Sequence, residues 1–261
     1  MLNSDGRAAV AGIDAVALKP TECDVSRIDL PESVRTVTID YEGREHLPSA
    51  ETLEALAADR EVRVTTPVRA DGFDPLGDDS LAAALPDDVG RVVVAGHGAY
   101  LSEEEVERAI APRIGAATSA NGGAWVGTEG VERAALATGA TQFELLSRDT
   151  ERSVRALRAA GFDGGIVVYA PTVLADDENE ILDAVGAYTA RRKPVQRALP
   201  DSAPTDGAAS GRAREVLSQA VRDYALVGTE RTVAERVTEL ERAGADRVVA
   251  YPAQGVKTLF A

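Results

Sequence analysis

The chain has 261 residues, the size of one large α/β domain, and 44% of them are apolar, enough for a sizeable core. Acidic side chains outnumber basic ones 43 to 28, a formal net charge of −15, which argues against a basic face for nucleic acid or an anionic membrane. Cys23 is the only cysteine and His46 and His97 the only histidines, so no intrachain disulfide forms and no metal site is expected. No apolar run approaches the ~18 residues of a membrane span. Met1-Leu2-Asn3-Ser4-Asp5 carries no signal-peptide pattern, so a cytoplasmic location is expected.

In chain order, β-branched runs predict strands at Ile13–Leu18, Arg35–Tyr41, Val62–Val68, Arg91–Ala95, Ala124–Gly127, Gln142–Leu146, Gly165–Ala170 and Arg247–Tyr251. Continuous apolar runs such as Val92-Val93-Val94 and Ile166-Val167-Val168 suit strands buried on both faces of a parallel sheet. Helical stripes fall between them. Ser49 precedes one, and Ser102 with Glu105 has capping-box spacing before Val106 and Ile110. Thr150 precedes Val154 and Leu157, a stripe that Gly161 ends; Ile181, Leu182, Val185 and Tyr188 form another. Val216, Leu217, Ala220 and Val221 follow, and Val233, Val237 and Leu240 are closed by Gly244. Eight strands alternating with helices predict an α/β fold of the (β/α)8 TIM-like barrel class, with the first strand replaced or missing. A doubly wound sheet is the rival, weakened because no G-x-G-x-x-G follows the first strand. The whole chain reads as a single barrel domain with a mobile polar insertion near 199–211.

In a barrel, chemistry sits on loops at the C-terminal strand ends. Lys19 and His97 are the candidate catalytic residues. A lysine after the first strand is an anion contact, a Schiff-base nucleophile or simply a solvated lysine beside Pro20. His97, between Gly96 and Gly98, offers an imidazole to a ligand or a proton, or else fills a glycine turn. Gly127, Thr128, Glu129 and Gly130 form a strand-to-helix turn whose free N–H groups suit an anion; the alternative is a plain turn with Thr128 as N-cap. Thr66 and Arg69 close another strand, and Arg69 clamps a phosphate or carboxylate or pairs with Asp71 or Asp74. Asp40 and Glu42 lie two apart and suit a metal or an acid–base pair, although acids are abundant here.

Three segments, in order, resemble the bacterial-luciferase-like barrel superfamily of flavin- and deazaflavin-dependent oxidoreductases. They are Gly90-Arg91-Val92-Val93-Val94-Ala95-Gly96-His97-Gly98, the stretch from Trp125 to Ala135, and Tyr224 to Val249 with its Gly228-Thr229 and Ala243-Gly244-Ala245-Asp246. The resemblance implies hydride transfer between FMN or coenzyme F-420 and a small organic substrate, with the cofactor phosphate at Thr128. The family's Asp-His pair has no counterpart at Lys19-Pro20-Thr21, the place matched to it. Two alternatives therefore stand: a cofactor-free barrel binding a phosphorylated or anionic metabolite, and a lyase or aldolase-type barrel using Lys19. Only Lys19, Lys193 and Lys257 are lysines, and this acidic, lysine-poor composition resembles that of proteins from salt-in halophilic archaea. The expected partner is a small-molecule substrate, with a homodimer as the candidate assembly.

Overall fold

The computed structural model describes residues 7–260; Met1-Leu2-Asn3-Ser4-Asp5, read above for a signal pattern, lies outside the described residues. Among the described residues the chain divides into two compact units, one formed by residues 15–144 and 162–167, the other by residues 7–14, 145–161 and 168–260.

The first unit is a run of parallel strands in sequence order. β1 (Ala15–Leu18) pairs β2 (Thr36–Ile39), which pairs β3 (Glu61–Pro67). β3 pairs β4 (Val89–Val94), followed by β5 (Trp125–Gly127) and β6 (Thr141–Leu145). β1 and β2 are buried at every position, as both-face burial requires. The register gives each face its own chemistry. Val93 and Val126 share one face and pack against Ile114, Ala117 and Ala135 of the covering helices. Each fully buried branched side chain there contributes roughly 1.5–3 kcal/mol. The opposite, inner face carries Thr36, Thr38, Glu61, Arg63, Thr65 and Trp125. Thr36 donates to Glu61 at 3.1 Å, Glu61 pairs with Arg63 at 2.7 Å, and the Arg63 guanidinium lies 4.2 Å from the Trp125 ring centre. Trp125 in turn stacks on Phe143 at 5.9 Å.

The second unit holds β7 (Ile166–Leu174) from Val168 onward, β8 (Leu226–Gly228) and β9 (Arg247–Pro252), with β7 between the other two. β7 is buried along all nine residues. Ile181, Leu182 and Val185 of helix Glu178–Ala190 form a core with Leu217 and Val221 of helix Gly211–Tyr224. Where the sequence predicts a mobile insertion near 199–211, the segment is docked on this core. Ala209 is buried within it, and the Gly207 N–H donates to Asp183 at 2.8 Å. At Gly186 an added Cβ would sit 2.3 Å from the Thr205 carbonyl oxygen, so the helix needs glycine where the segment crosses it.

The capping signals have their expected geometry at three places. Ser49 accepts from the Thr52 N–H, Ser102 and Glu105 form a reciprocal capping box, and Gly244 ends its helix at φ +114°. All eight predicted strands are present. β8 is an additional three-residue strand, in a stretch the sequence reading treats only as the approach to a helix cap. Among the described residues no helix is long and apolar enough to cross a membrane.

Candidate active site

Because β1 to β5 run parallel, their C-terminal ends share one side of the first unit. Lys19 follows β1, Asp40 follows β2, Arg69 lies just past β3, and His97 just past β4. Both candidate catalytic residues therefore stand at the same strand-end side. The open groove of about 570 Å³ beside Lys19 is lined by Glu22, Cys23, Asp24, Glu45 and His46 among others, and His97 is not part of it. The Lys19 Nζ lies 3.6 Å from Glu22, and the Thr21 N–H and hydroxyl both donate to Glu42, at 2.9 and 2.7 Å. The mouth of this groove is acidic. Burial, then the charge of Glu22, pushes the Cys23 thiol above its ordinary value, away from the reactive thiolate.

His97 is exposed, and its Nδ1 accepts from the Ala99 N–H at 3.1 Å. That bond leaves Nε2 as the protonated nitrogen of the neutral ring. Its ring centre lies 6.2 Å from that of Tyr100. His46 is also exposed, 3.8 Å from Glu45.

Arg69 is committed to its own loops. Nε donates to the Ala95 carbonyl at 2.8 Å, Nη2 to Gly96 at 2.9 Å and Nη1 to Val106 at 2.5 Å. Its fork straps the loop after β4 onto the end of β3, rather than facing a phosphate as the sequence suggests. Nor does it pair with Asp71 or Asp74. Arg108 takes both, at 2.7 and 3.5 Å, and Arg113 adds a 2.8 Å contact to Asp74, whose side chain is 2% exposed. Glu105 completes the knot by accepting from the backbone N–H groups of Asp71 and Ser102. Burial alone would raise the Glu105 carboxyl, but these hydrogen bonds outweigh it and hold the group below its ordinary value.

Thr66 is a correction. It lies on the helix-facing side of β3, fully buried, accepting from Arg91 Nε at 3.2 Å. Strand alternation gives the inner face to Thr65, whose hydroxyl accepts from the Tyr41 N–H at 2.6 Å. Burial lowers the Arg91 guanidinium from its ordinary value, against the pull of Asp79.

The turn at Gly127–Gly130 is a second correction. Thr128 does not cap the next helix, which starts at Glu132 with Val131 as N-cap and no side-chain cap. The Thr128 N–H donates to the Phe143 carbonyl at 3.0 Å, and its hydroxyl lies 3.5 Å from the same oxygen. The Gly130 N–H is directed at the Glu132 carboxylate at 3.3 Å, and Glu129 is exposed beside it. Gly127 is small for packing: an added Cβ would meet Val94 Cγ1 at 2.9 Å. Gly130 has φ +72°, which suits a tight turn. The donors expected to converge on an anion are thus spent, and the nearest charges are acidic. Among the described residues no group of three or more His, Cys, Asp or Glu side chains is placed to hold a metal ion.

The inner face also holds a residue that the sequence reading passed over. Thr38 is fully buried on β2, and its hydroxyl has no hydrogen-bond partner among the described residues. Nothing in the run Thr36-Val37-Thr38-Ile39 distinguishes the two threonines before the register is known.

Solved structures similar in fold span nearly the whole chain. A coenzyme F420 dependent tetrahydromethanopterin reductase from Methanopyrus kandleri matches with TM-score 0.61 and 13% identity, over 94% of each chain. An F420-dependent secondary alcohol dehydrogenase in complex with an F420-acetone adduct matches with TM-score 0.56 and 10% identity, over 99% of this chain and 91% of that one. Apo-MsnO8 matches with TM-score 0.57 and 12% identity, over 94% and 95%. At such identities the likeness establishes the fold, an α/β TIM-like barrel. No curated protein matches the chain. The sequence pattern of one family, described as a family of unknown function (DUF7388), matches residues 8–259, and the chain therefore belongs to the DUF7388 family.

Proposed function

We propose that the chain is an oxidoreductase of the luciferase-like barrel class, moving a hydride between coenzyme F420 or FMN and a small organic substrate. The observation that carries this reading is the full-length likeness in fold to two proteins described as F420-dependent. The order of the three resembling segments along the sequence supports it. The same reading makes it a cytoplasmic, divergent member of that class from a salt-rich cell, acting as a homodimer.

The Gly127–Gly130 turn does not fit the phosphate of such a carrier, because its N–H groups are already bonded and Glu129 and Glu132 flank it. No step of the transfer is assigned to that turn or to Arg69. This misfit favours a second reading, a barrel that keeps the fold without a resident flavin and takes another metabolite. One titration separates the two. Full-length protein, folded in multimolar KCl, is titrated with F420 and with FMN and examined by native mass spectrometry. Retention of either carrier at micromolar concentration is expected. Folded protein that retains neither overturns the oxidoreductase reading and leaves the second.

A further inference from the structure

Between Asp183 and Asp201 the chain carries no acidic residue, yet it carries Arg191, Arg192, Lys193 and Arg197. They sit where helix Glu178–Ala190 gives way to the short helix Lys193–Ala198. Arg192 packs on aromatic rings. Its guanidinium lies 4.6 Å from the Tyr188 ring centre and 5.8 Å from that of Tyr224, and it donates to the Tyr188 hydroxyl. Arg191, Lys193 and Arg197 are exposed, and among the described residues none of the three forms an ion pair. In the same unit Arg212, Arg214 and Arg222 all have carboxylate partners. Three unpaired cations this close in sequence stand out in a chain of net charge −15.

The other unit carries a surface of opposite character. On the segment after β4, Tyr100 is 45% exposed and Val106 37% exposed. Glu103 and Glu107 are exposed on the same segment, with no ion pair among the described residues. Glu104 is exposed too, although it reaches Arg108 at 3.7 Å. An aromatic and an aliphatic side chain left in water beside unpaired carboxylates have the composition of an interface. The segment is already held in place, by Arg69 at the Ala95, Gly96 and Val106 carbonyls and by Glu105 at the Asp71 N–H. Docking on it therefore costs little ordering entropy.

We propose that Arg191, Lys193 and Arg197 of one copy dock on Tyr100, Glu103, Val106 and Glu107 of a second copy of this chain. The cations meet the unpaired carboxylates, and the long arginine stems cover the Tyr100 ring and Val106. Ion pairs shielded by such a contact are screened by salt much less than exposed ones. A long polyanion suits the basic patch less well, because Asp183 and Asp201 bound it and repel the phosphates to either side. The contact names a surface for the homodimer proposed above and rests on that reading. It needs no hydride carrier.

The test uses full-length protein at one KCl concentration at which thermal melts show every form folded. Sedimentation velocity over a concentration series reads self-association. The triple variant Arg191→Glu, Lys193→Glu, Arg197→Glu and the double variant Glu103→Arg, Glu107→Arg should each weaken it on the order of tenfold. An equimolar mixture of the two should recover it, because both reversed faces attract again. A second readout needs no variant. Wild-type protein, half of it isotope-labelled, is treated with a carbodiimide. A mixed-isotope cross-link from Lys193 to Glu103 or Glu107 is expected, and with Lys19 and Lys257 the only other lysines its assignment is direct. A wild type that stays monomeric overturns the homodimer and this contact together. If that monomer binds a short RNA through the same three cations, the patch belongs to a polyanion instead. Three results keep the homodimer and overturn the contact: a dimer that both variants leave intact, a mixture that recovers nothing, or a dimer without the Lys193 cross-link.

Discussion

Arg158 holds the carbonyl of Gly244 with two nitrogens, Nε at 3.0 Å and Nη2 at 2.9 Å, and reaches Asp246 with Nη2 at 2.8 Å. This pins helix Thr150–Ala159 to the turn that introduces β9. It also explains the Ala243-Gly244-Ala245-Asp246 signature: the glycine takes φ +114° and the aspartate anchors the arginine. Replacing Gly244 by alanine forces a left-handed alanine and places Cβ 2.7 Å from Arg158 Cγ. Gly244→Ala should cost about 2 kcal/mol in urea unfolding. In an Arg158→Ala background the clash disappears and the cost should fall to about 1 kcal/mol, the backbone contribution alone. Equal costs in both backgrounds would remove Arg158 from the explanation.

Asp74 is a buried carboxylate held by two arginines. Asp74→Asn keeps the shape but leaves Arg108 and Arg113 short of a counter-charge. A loss of about 3 kcal/mol is expected, read by chemical denaturation, with circular dichroism confirming the unchanged fold. A loss below about 0.5 kcal/mol, the range of ordinary surface substitutions, would show that Asp71 and Glu104 alone can hold Arg108.

Arg69→Met should release the loop after β4. Amide exchange from Ala95 to Val106 should accelerate on the order of tenfold, with global stability falling by about 1–2 kcal/mol. Binding of FMN, F420 or inorganic phosphate should not change, since the arginine's donors already have carbonyl partners. A phosphate affinity that drops with this variant would restore the phosphate-clamp role expected from sequence.

The Glu105 carboxyl is held below its reference value of 4.5 in the folded chain. Its folded pKa lies under its unfolded one, so the stabilisation is fully present above the unfolded value and fades as pH falls through the folded one. Between pH 6 and pH 3 the wild type should lose stability more steeply than Glu105→Gln. Parallel acid limbs in a urea series across that range would contradict this assignment.

The net charge of −15 with only three lysines predicts dependence on salt. Thermal midpoints should climb from dilute buffer to multimolar KCl as screening reduces repulsion among carboxylates. A midpoint highest in dilute buffer would refute it.

The strands were legible because both-face burial writes continuous apolar runs such as Val92-Val93-Val94. The same burial hid which face each residue occupies. From Val64 to Val68 every side chain is buried, so no alternation distinguished Thr65 from Thr66, and the expectation at Thr66 fell on the wrong side of the sheet. β8 escaped because three residues carry no period, and two of them, Val227 and Gly228, are only partly buried. Ser102 and Gly244 were readable because their capping signals are local. Thr128 was misplaced because its partner, the Phe143 carbonyl, lies fifteen residues away. Thr38 could be recognised only from what it fails to touch.

The docked segment at 199–211 bears on how the chain tolerates cutting and grafting. A polar stretch containing Pro200, Pro204 and Gly207 invites its use as a place to nick, tag or shorten the protein. Yet Leu199, Ala203 and Ala209 close one end of the core between two long helices, and Gly186 is shaped to let the chain pass. Shortening it would uncover Leu182, Val185 and Leu217, producing a sticky apolar surface and a tendency to aggregate rather than a trimmed barrel.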